Sequence, residues 1–308
     1  MGDGAKGYYV YVAALNQNNL IPAMAFLGLL MVFTLWERRC LAMAHGRVGP
    51  WRAGAWMWVT PLLDGVKLLK RGAFMPASSS IVWFLMLPMM GLSLVLVMAL
   101  SLPQVNDLTF MWPCWLVLPV LMVLMGLLSW VAMLMMRAMG SAYPMMGSIR
   151  MVSQAIGYEL VWSLSFFMPL CIEFSLSPLE SGVIWPMMVI IPMGFILAGV
   201  LMLAETHRTP FDMVEGESEL VSGYSTEQGG WAFTSFFLSE QGHLWVSGLL
   251  LSLLWLGSSW LMTTILVIMV VTRATLPRLR YDKLMDICWK IALPWTLSLG
   301  LLSFLMRL

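Results

Sequence analysis

The chain is divided into apolar stretches too long and too numerous for the core segments of a water-soluble domain. Leu20 to Trp36, Ser79 to Leu102, Trp112 to Met136, Val152 to Ile172, Val183 to Ala204, Trp231 to Leu256, Ser258 to Thr272 and Asp286 to Met306 make eight of them. A helix needs roughly 17 to 25 apolar residues to cross a bilayer, and the first stretch lies at the short end of that range. The expected fold class is therefore all-α, a polytopic membrane protein of about eight transmembrane helices. Composition agrees, because 60% of the residues are hydrophobic and 11% are charged, against roughly 25% charged in a typical soluble domain. No internal repeat divides the chain, so residues 1–308 read as a single membrane domain.

The basic residues fall into a pattern that supports this division. Of the 17 Lys and Arg, 15 lie on alternate connections, and only Lys6 and Arg307 lie on the other side. The excess of positive charge on inner loops then places both termini outside. The first inner connection is unlike the rest. Gly46, Gly49, Pro50 and Gly54 punctuate it, after which Leu62, Leu63, Val66 and Leu69 repeat at helical spacing among Asp64, Lys67, Lys70 and Arg71. Residues 45–72 are thus expected to form an interfacial amphipathic segment rather than a span. The N-terminal residues do not read as a cleavable leader or a lipidation signal. A net charge of +1 without a basic tract argues against nucleic acid. Cys40, Cys114, Cys171 and Cys288 are far apart and form no CxxC, which makes metal or disulfide chemistry unexpected.

The inner connection from Glu205 to Gly230 carries the chemistry. It holds Glu205, Asp212, Glu215, Glu217, Glu219 and Glu227, six of the 16 acidic residues, between membrane-length runs. Asp212 followed by Glu215 resembles a helix-capping box, but capping leaves the other carboxylates unexplained. A protonatable cluster at the mouth of a cavity explains more of them, since repulsion and desolvation make proton occupancy adjustable there. Glu159 and Glu240 fall within apolar runs, where an isolated carboxylate costs on the order of 2.5 kcal/mol or more. His243, one turn beyond Glu240, reads as a satisfied packing residue.

The run AETHRTPFDMVEGESELVSGYSTE strongly resembles the signature of membrane subunit 1 of respiratory complex I, the proton-pumping NADH:ubiquinone oxidoreductase. WERRCLAMAHGRVGP, PLLDGVKLL, PASSSI, IRMVSQAIGYEL and TRATLPRLRYDKLMDICWKIALP resemble that family in the same order. The resemblance implies a subunit that anchors the peripheral arm, forms the membrane end of a quinone channel and links it to the pumping subunits. On matching positions the channel would involve Arg38, Arg47, Asp64, Phe211 and Phe237. The coupling path would involve Glu159, Glu205, Asp212, Glu215, Glu217, Glu219, Glu227 and Glu240, with Arg150, Arg208, Arg273, Arg278 and Arg280 as counter-charges. The implied substrate is ubiquinone, and NADH, FMN and Fe-S clusters would sit in partner subunits, because this chain has no ligand set or dinucleotide-binding glycine pattern of its own. Partners would be the other membrane-arm and peripheral-arm subunits, quinone and membrane lipid, in the mitochondrial inner membrane or a bacterial plasma membrane. The sequence departs from the family pattern at His207, where Asn is common, at Thr60, Gly72 and Lys283, and in a shorter connection between spans six and seven. Two other readings remain: the equivalent subunit of a membrane-bound hydrogenase, and a stand-alone secondary transporter. The transporter would ordinarily show repeats and Gly/Pro-broken helices.

Overall fold

The computed structural model describes residues 20–50, 54–72, 79–102, 114–173, 187–213 and 228–306. Among these residues the regular structure is all helical, with no strand. The long elements are α1 (Leu20–Ala44), α3 (Ile81–Ser101), α4 (Cys114–Ala138), α5 (Ala142–Glu173), α6 (Pro192–Glu205), α7 (Gly230–Leu251), α8 (Met262–Thr275) and α9 (Tyr281–Leu305). The short α2 (Thr60–Lys70) lies between the first two rods. Among the described residues, four helices meet a membrane-crossing standard of length and apolarity by themselves: Ile81–Ser101, Leu116–Ala138, Ala142–Ile172 and Tyr281–Leu305. The segments Pro192–Glu205 and Ser259–Thr275 are apolar but shorter. The described residues include eight long rods, of which α1 carries Glu37, Arg38 and Arg39, and α7 carries Glu240, Gln241 and His243.

Several boundaries differ from the expected ones, each for a physical reason. The first apolar run ends at Trp36, yet α1 continues through the charged triplet to Ala44, because Glu and Arg are good helix formers and only the apolar run, not helicity, ends there. α5 starts at Ala142 rather than Val152 and runs for 32 residues. At 1.5 Å per residue that is about 48 Å, well beyond a hydrocarbon core of about 30 Å. Glu159 is consequently near the middle of its helix, not close to its start. The expected fifth span is interrupted, with helix at Met187–Ile190 and again from Pro192, whose ring removes a backbone donor. α7 passes into a π-helical turn at Ser252–Leu256 and stops at Gly257, which has φ +69°.

Lipid-immersed helices gain little from hydrophobicity against one another, so close packing and small residues set the contacts. α7 is central and touches α1, α2, α3 and α8. A Cβ on Gly242 would lie 2.2 Å from Val95 Cγ1, so this crossing of α7 and α3 requires glycine. Trp162, Trp255, Tyr158, Phe84 and Phe166 are fully buried between rods. Ile81, Val82 and Trp83 instead face outward, the arrangement a lipid solvent allows.

α2 has no buried residue, and Leu62, Leu63, Val66 and Leu69 are all exposed, with Leu69 at the edge of a crevice beneath the helix. Of the expected segment 45–72, the described regular structure is a 3-10 turn at Gly54–Val59 followed by α2. Residues 214–227, which include most of the acidic connection, lie outside the described residues.

Candidate functional site

Two cavities meet where α1 and α7 face each other. The larger, about 400 Å³, is mainly apolar and runs beneath α2, lined by Met31, Leu68, Leu92, Phe233, Phe237 and Leu238 among others. The second, about 250 Å³, is lined by Glu37, Arg38, His207, Arg208, Glu240 and Arg273. Thr34, Arg38 and Phe237 border both. The stacked rings of Phe233 and Phe237, with centroids 6.1 Å apart, wall the apolar side. Arg38 Nη1 stands 3.6 Å from Asp64 Oδ2, and both side chains are more than half exposed, so this pair contributes little to stability.

The polar cavity is held by a buried ion cluster. Glu37 is 6% exposed. Its Oε1 accepts from Arg208 Nη1 at 2.8 Å and from Arg273 Nη1 at 2.7 Å. One carboxylate thereby joins α1, the connection after α6 and the end of α8. A neighbouring pair, Arg278 Nη2 to Asp212 Oδ2 at 2.8 Å, fastens residues 208–213 to the connection before α9. The Leu279 N–H donates to the Pro210 carbonyl at 3.0 Å beside it.

The same connection is shaped from below by α5. Gln154 Nε2 donates to the carbonyls of Ala204 at 2.9 Å and Phe211 at 3.2 Å. Between them His207 has φ +51°, a left-handed conformation that Asn adopts most readily and His more readily than most other residues. The backbone thus gives a reason for the Asn common in the resembled pattern. Burial pushes the His207 imidazole down to about 4, so it is neutral at physiological pH, and its Nδ1 has no hydrogen-bond partner among the described residues.

Deeper in the bundle, the Ser129 hydroxyl stands between the Glu159 carboxyl and the Gly126 carbonyl. Glu205 is 4% exposed, with Oε1 unpartnered among the described residues. Glu240 borders the polar cavity and a smaller one that also reaches Ser129, His207 and His243. No group of three His, Cys, Asp or Glu suited to a metal ion occurs among the described residues.

The profile of the family described as NADH dehydrogenase matches residues 18–304. The chain is 33% identical to an NADH-quinone oxidoreductase component of Thermomicrobium roseum, over 89% of this chain and 91% of that protein. It is 33% identical to NADH-ubiquinone oxidoreductase chain 1 of Sminthopsis macroura, covering 92% and 91%, and 35% identical to the chain of that name from Emballonura alecto, covering 91% of each. The chain belongs to the NADH dehydrogenase family.

Within this NADH dehydrogenase family member the structure sorts the expected site residues. Arg38, Asp64 and Phe237 share the apolar crevice. Phe211 does not: it is 4% exposed and packs on Tyr158, with centroids 5.8 Å apart, as part of the core behind the connection. Arg47 lines a separate cavity of about 230 Å³ with Arg39, Met43 and Met57. Arg208, Arg273 and Arg278 do face carboxylates, whereas Arg280 pairs with Asp282 at the surface at 3.1 Å. Arg150 borders neither of the two large cavities. Glu215, Glu217, Glu219 and Glu227 lie outside the described residues. His243, expected to be satisfied, is 5% exposed with Nε2 unpartnered among the described residues. Glu37, just beyond the first apolar run, was not among the expected site residues, and no local pattern marks it; its partners Arg208 and Arg273 lie far along the chain.

Proposed function

We propose that the chain is the membrane subunit of a proton-pumping NADH:quinone oxidoreductase that forms the membrane end of the quinone channel and couples quinone reduction to proton translocation. The observation that carries this reading is that Thr34, Arg38 and Phe237 line both an apolar crevice under α2 and a polar, charged cavity beside it. A quinone is a polar head on a hydrophobic tail, and the crevice suits the tail while Arg38 and the neighbouring polar groups suit the head. Glu240 lines the polar cavity, and in this reading Glu205 and Glu159 continue the path inward. Proton uptake at a reduced head group would change the charge that Glu240, Glu205 and Glu159 experience, and coupled carboxylates redistribute protons in response. Electrons would arrive from partner subunits carrying NADH-oxidising and Fe-S centres, and the exposed apolar face of α2 would rest against lipid or a neighbouring subunit in the inner mitochondrial or bacterial membrane.

The test compares two activities in the assembled complex. Arg38→Ala should lower quinone reduction at least about tenfold while leaving NADH oxidation by a hydrophilic artificial acceptor unchanged. Equal loss of both in an intact complex would place the defect upstream of the quinone and overturn the channel assignment. Glu159→Gln should lower proton pumping and quinone reduction together, measured as pH change and NADH oxidation in liposomes. Unchanged pumping would remove Glu159 from the coupling path.

A further inference from the structure

A small cavity of about 30 Å³ lies between α4, α7 and the start of the connection after α6. Ser129, Thr206, His207, Ser239, Glu240 and His243 supply its polar lining. That volume has room for roughly one or two water molecules. Two imidazole nitrogens near it, His207 Nδ1 and His243 Nε2, are buried and have no hydrogen-bond partner among the described residues. His243 is 95% buried, being 5% exposed. A buried polar nitrogen left without a partner costs about 1 to 3 kcal/mol, so two beside one polar cavity point to a ligand that can donate to one and accept from the other. Neutral imidazole offers one donor and one acceptor nitrogen, and water is the molecule of matching size.

The position of this cavity gives such a water a task. Glu240 borders both this cavity and the large polar one that meets the crevice. On the far side Ser129 borders it, and the Ser129 hydroxyl contacts the Glu159 carboxyl. We propose that His207 and His243 together hold an internal water that relays protons between Glu240 and Glu159 by way of Ser129. In one passage Glu240 in its acid form gives its proton to the water, the water gives one of its own to the Ser129 oxygen, and the Ser129 hydroxyl proton passes to the Glu159 carboxylate. One proton moves, and the water and the serine end as they began. The imidazoles are positioning residues that fix the water without carrying charge. The titratable groups facing the cavity are Glu240 and His243 from α7 and His207 from the connection, with Glu159 of α5 behind Ser129 of α4. This proposal rests on the coupling role proposed above.

The experiment uses the assembled complex in liposomes with a short-chain ubiquinone. His243→Leu fills the same space without a polar end and should lower pumping by about tenfold and raise the solvent deuterium isotope effect on turnover, because the impaired proton transfer becomes rate-limiting. Artificial-acceptor activity should stay unchanged. His243→Gln, which restores a hydrogen-bonding end near the lost Nε2, should recover most of the pumping. Wild-type pumping in His243→Leu overturns the relay, as does a Gln variant no better than Leu in an intact complex. A high-resolution map of the complex should show density between the two imidazoles at hydrogen-bond distance, and an empty cavity overturns the proposal. If Arg38→Ala loses quinone reduction while His243→Leu pumps normally, the relay alone fails. If Glu159→Gln also pumps normally, the coupling role fails with it.

Discussion

Glu37 and Arg38 are consecutive residues on one turn of α1 and both line the polar cavity, yet their ion-pair partners and their burial differ. Glu37 points into the bundle, is almost fully buried and receives two guanidinium hydrogen bonds below 3 Å from distant parts of the chain. Arg38 points toward α2 and makes a 3.6 Å contact with Asp64 across a partly solvated gap. The helix turns by about 100° per residue, which is enough to put one charge among helices and the next at the mouth of a crevice. The lesson is that a buried charge cluster ties elements together because each member depends on the others. An exposed pair remains free to exchange its partner for a ligand.

Glu37→Ala should break this contrast most severely. It removes the carboxylate that Arg208 and Arg273 share, and removing one partner of a buried ion pair costs about 3 to 5 kcal/mol. The expected outcome is poor assembly or a complex that dissociates at lower temperature, read by native electrophoresis across a temperature series. If Glu37→Ala assembles and melts as the unsubstituted complex does, the cluster is not what joins these elements. Next in size, Arg208→Ala should also destabilise, and combining it with Glu37→Ala should cost clearly less than the sum of the two single changes, because both remove one interaction. Additive losses in that cycle would show that the two residues act separately.

Asp64→Ala sharpens the other side. Its effect on complex stability should stay within about 1 kcal/mol, while quinone reduction falls more than artificial-acceptor activity. A large loss of stability would mean that Asp64 is as structural as Glu37. The smallest effect concerns His207, which stands beside the buried cluster and is held neutral. Its folded value is depressed from 6.5 to about 4, so unfolded chains bind a proton in that interval and folded ones do not. The stability that neutral His207 contributes is therefore complete above 6.5 and is lost as the pH falls from 6.5 toward 4. His207→Asn, which keeps the left-handed backbone and cannot titrate, should lessen the fall in melting temperature over that window. An unchanged acid profile would assign the effect to other groups.

Much of this architecture was legible in the residue order. Eight apolar runs, an amphipathic segment around Leu62 to Leu69, and carboxylates inside spans are local facts, and lipid imposes helix on any long apolar run because backbone groups there find no water. The extension of α5 to Ala142 was not legible, because helix formation continues past the apolar limit of a run while sequence patterning registers only that limit. The resemblance implied a channel role for Phe211, and only the tertiary structure shows it buried against Tyr158. The sequence by itself determined which segments lie in lipid and which residues carry charge, since both follow from the transfer cost of each residue alone. The tertiary structure decided that Glu37 meets Arg208 and Arg273, that Gln154 supports the turn at His207, and that His207 and His243 border one cavity. Those contacts join residues separated by many tens of positions, and no local pattern in a chain encodes which distant partner a buried polar group will find.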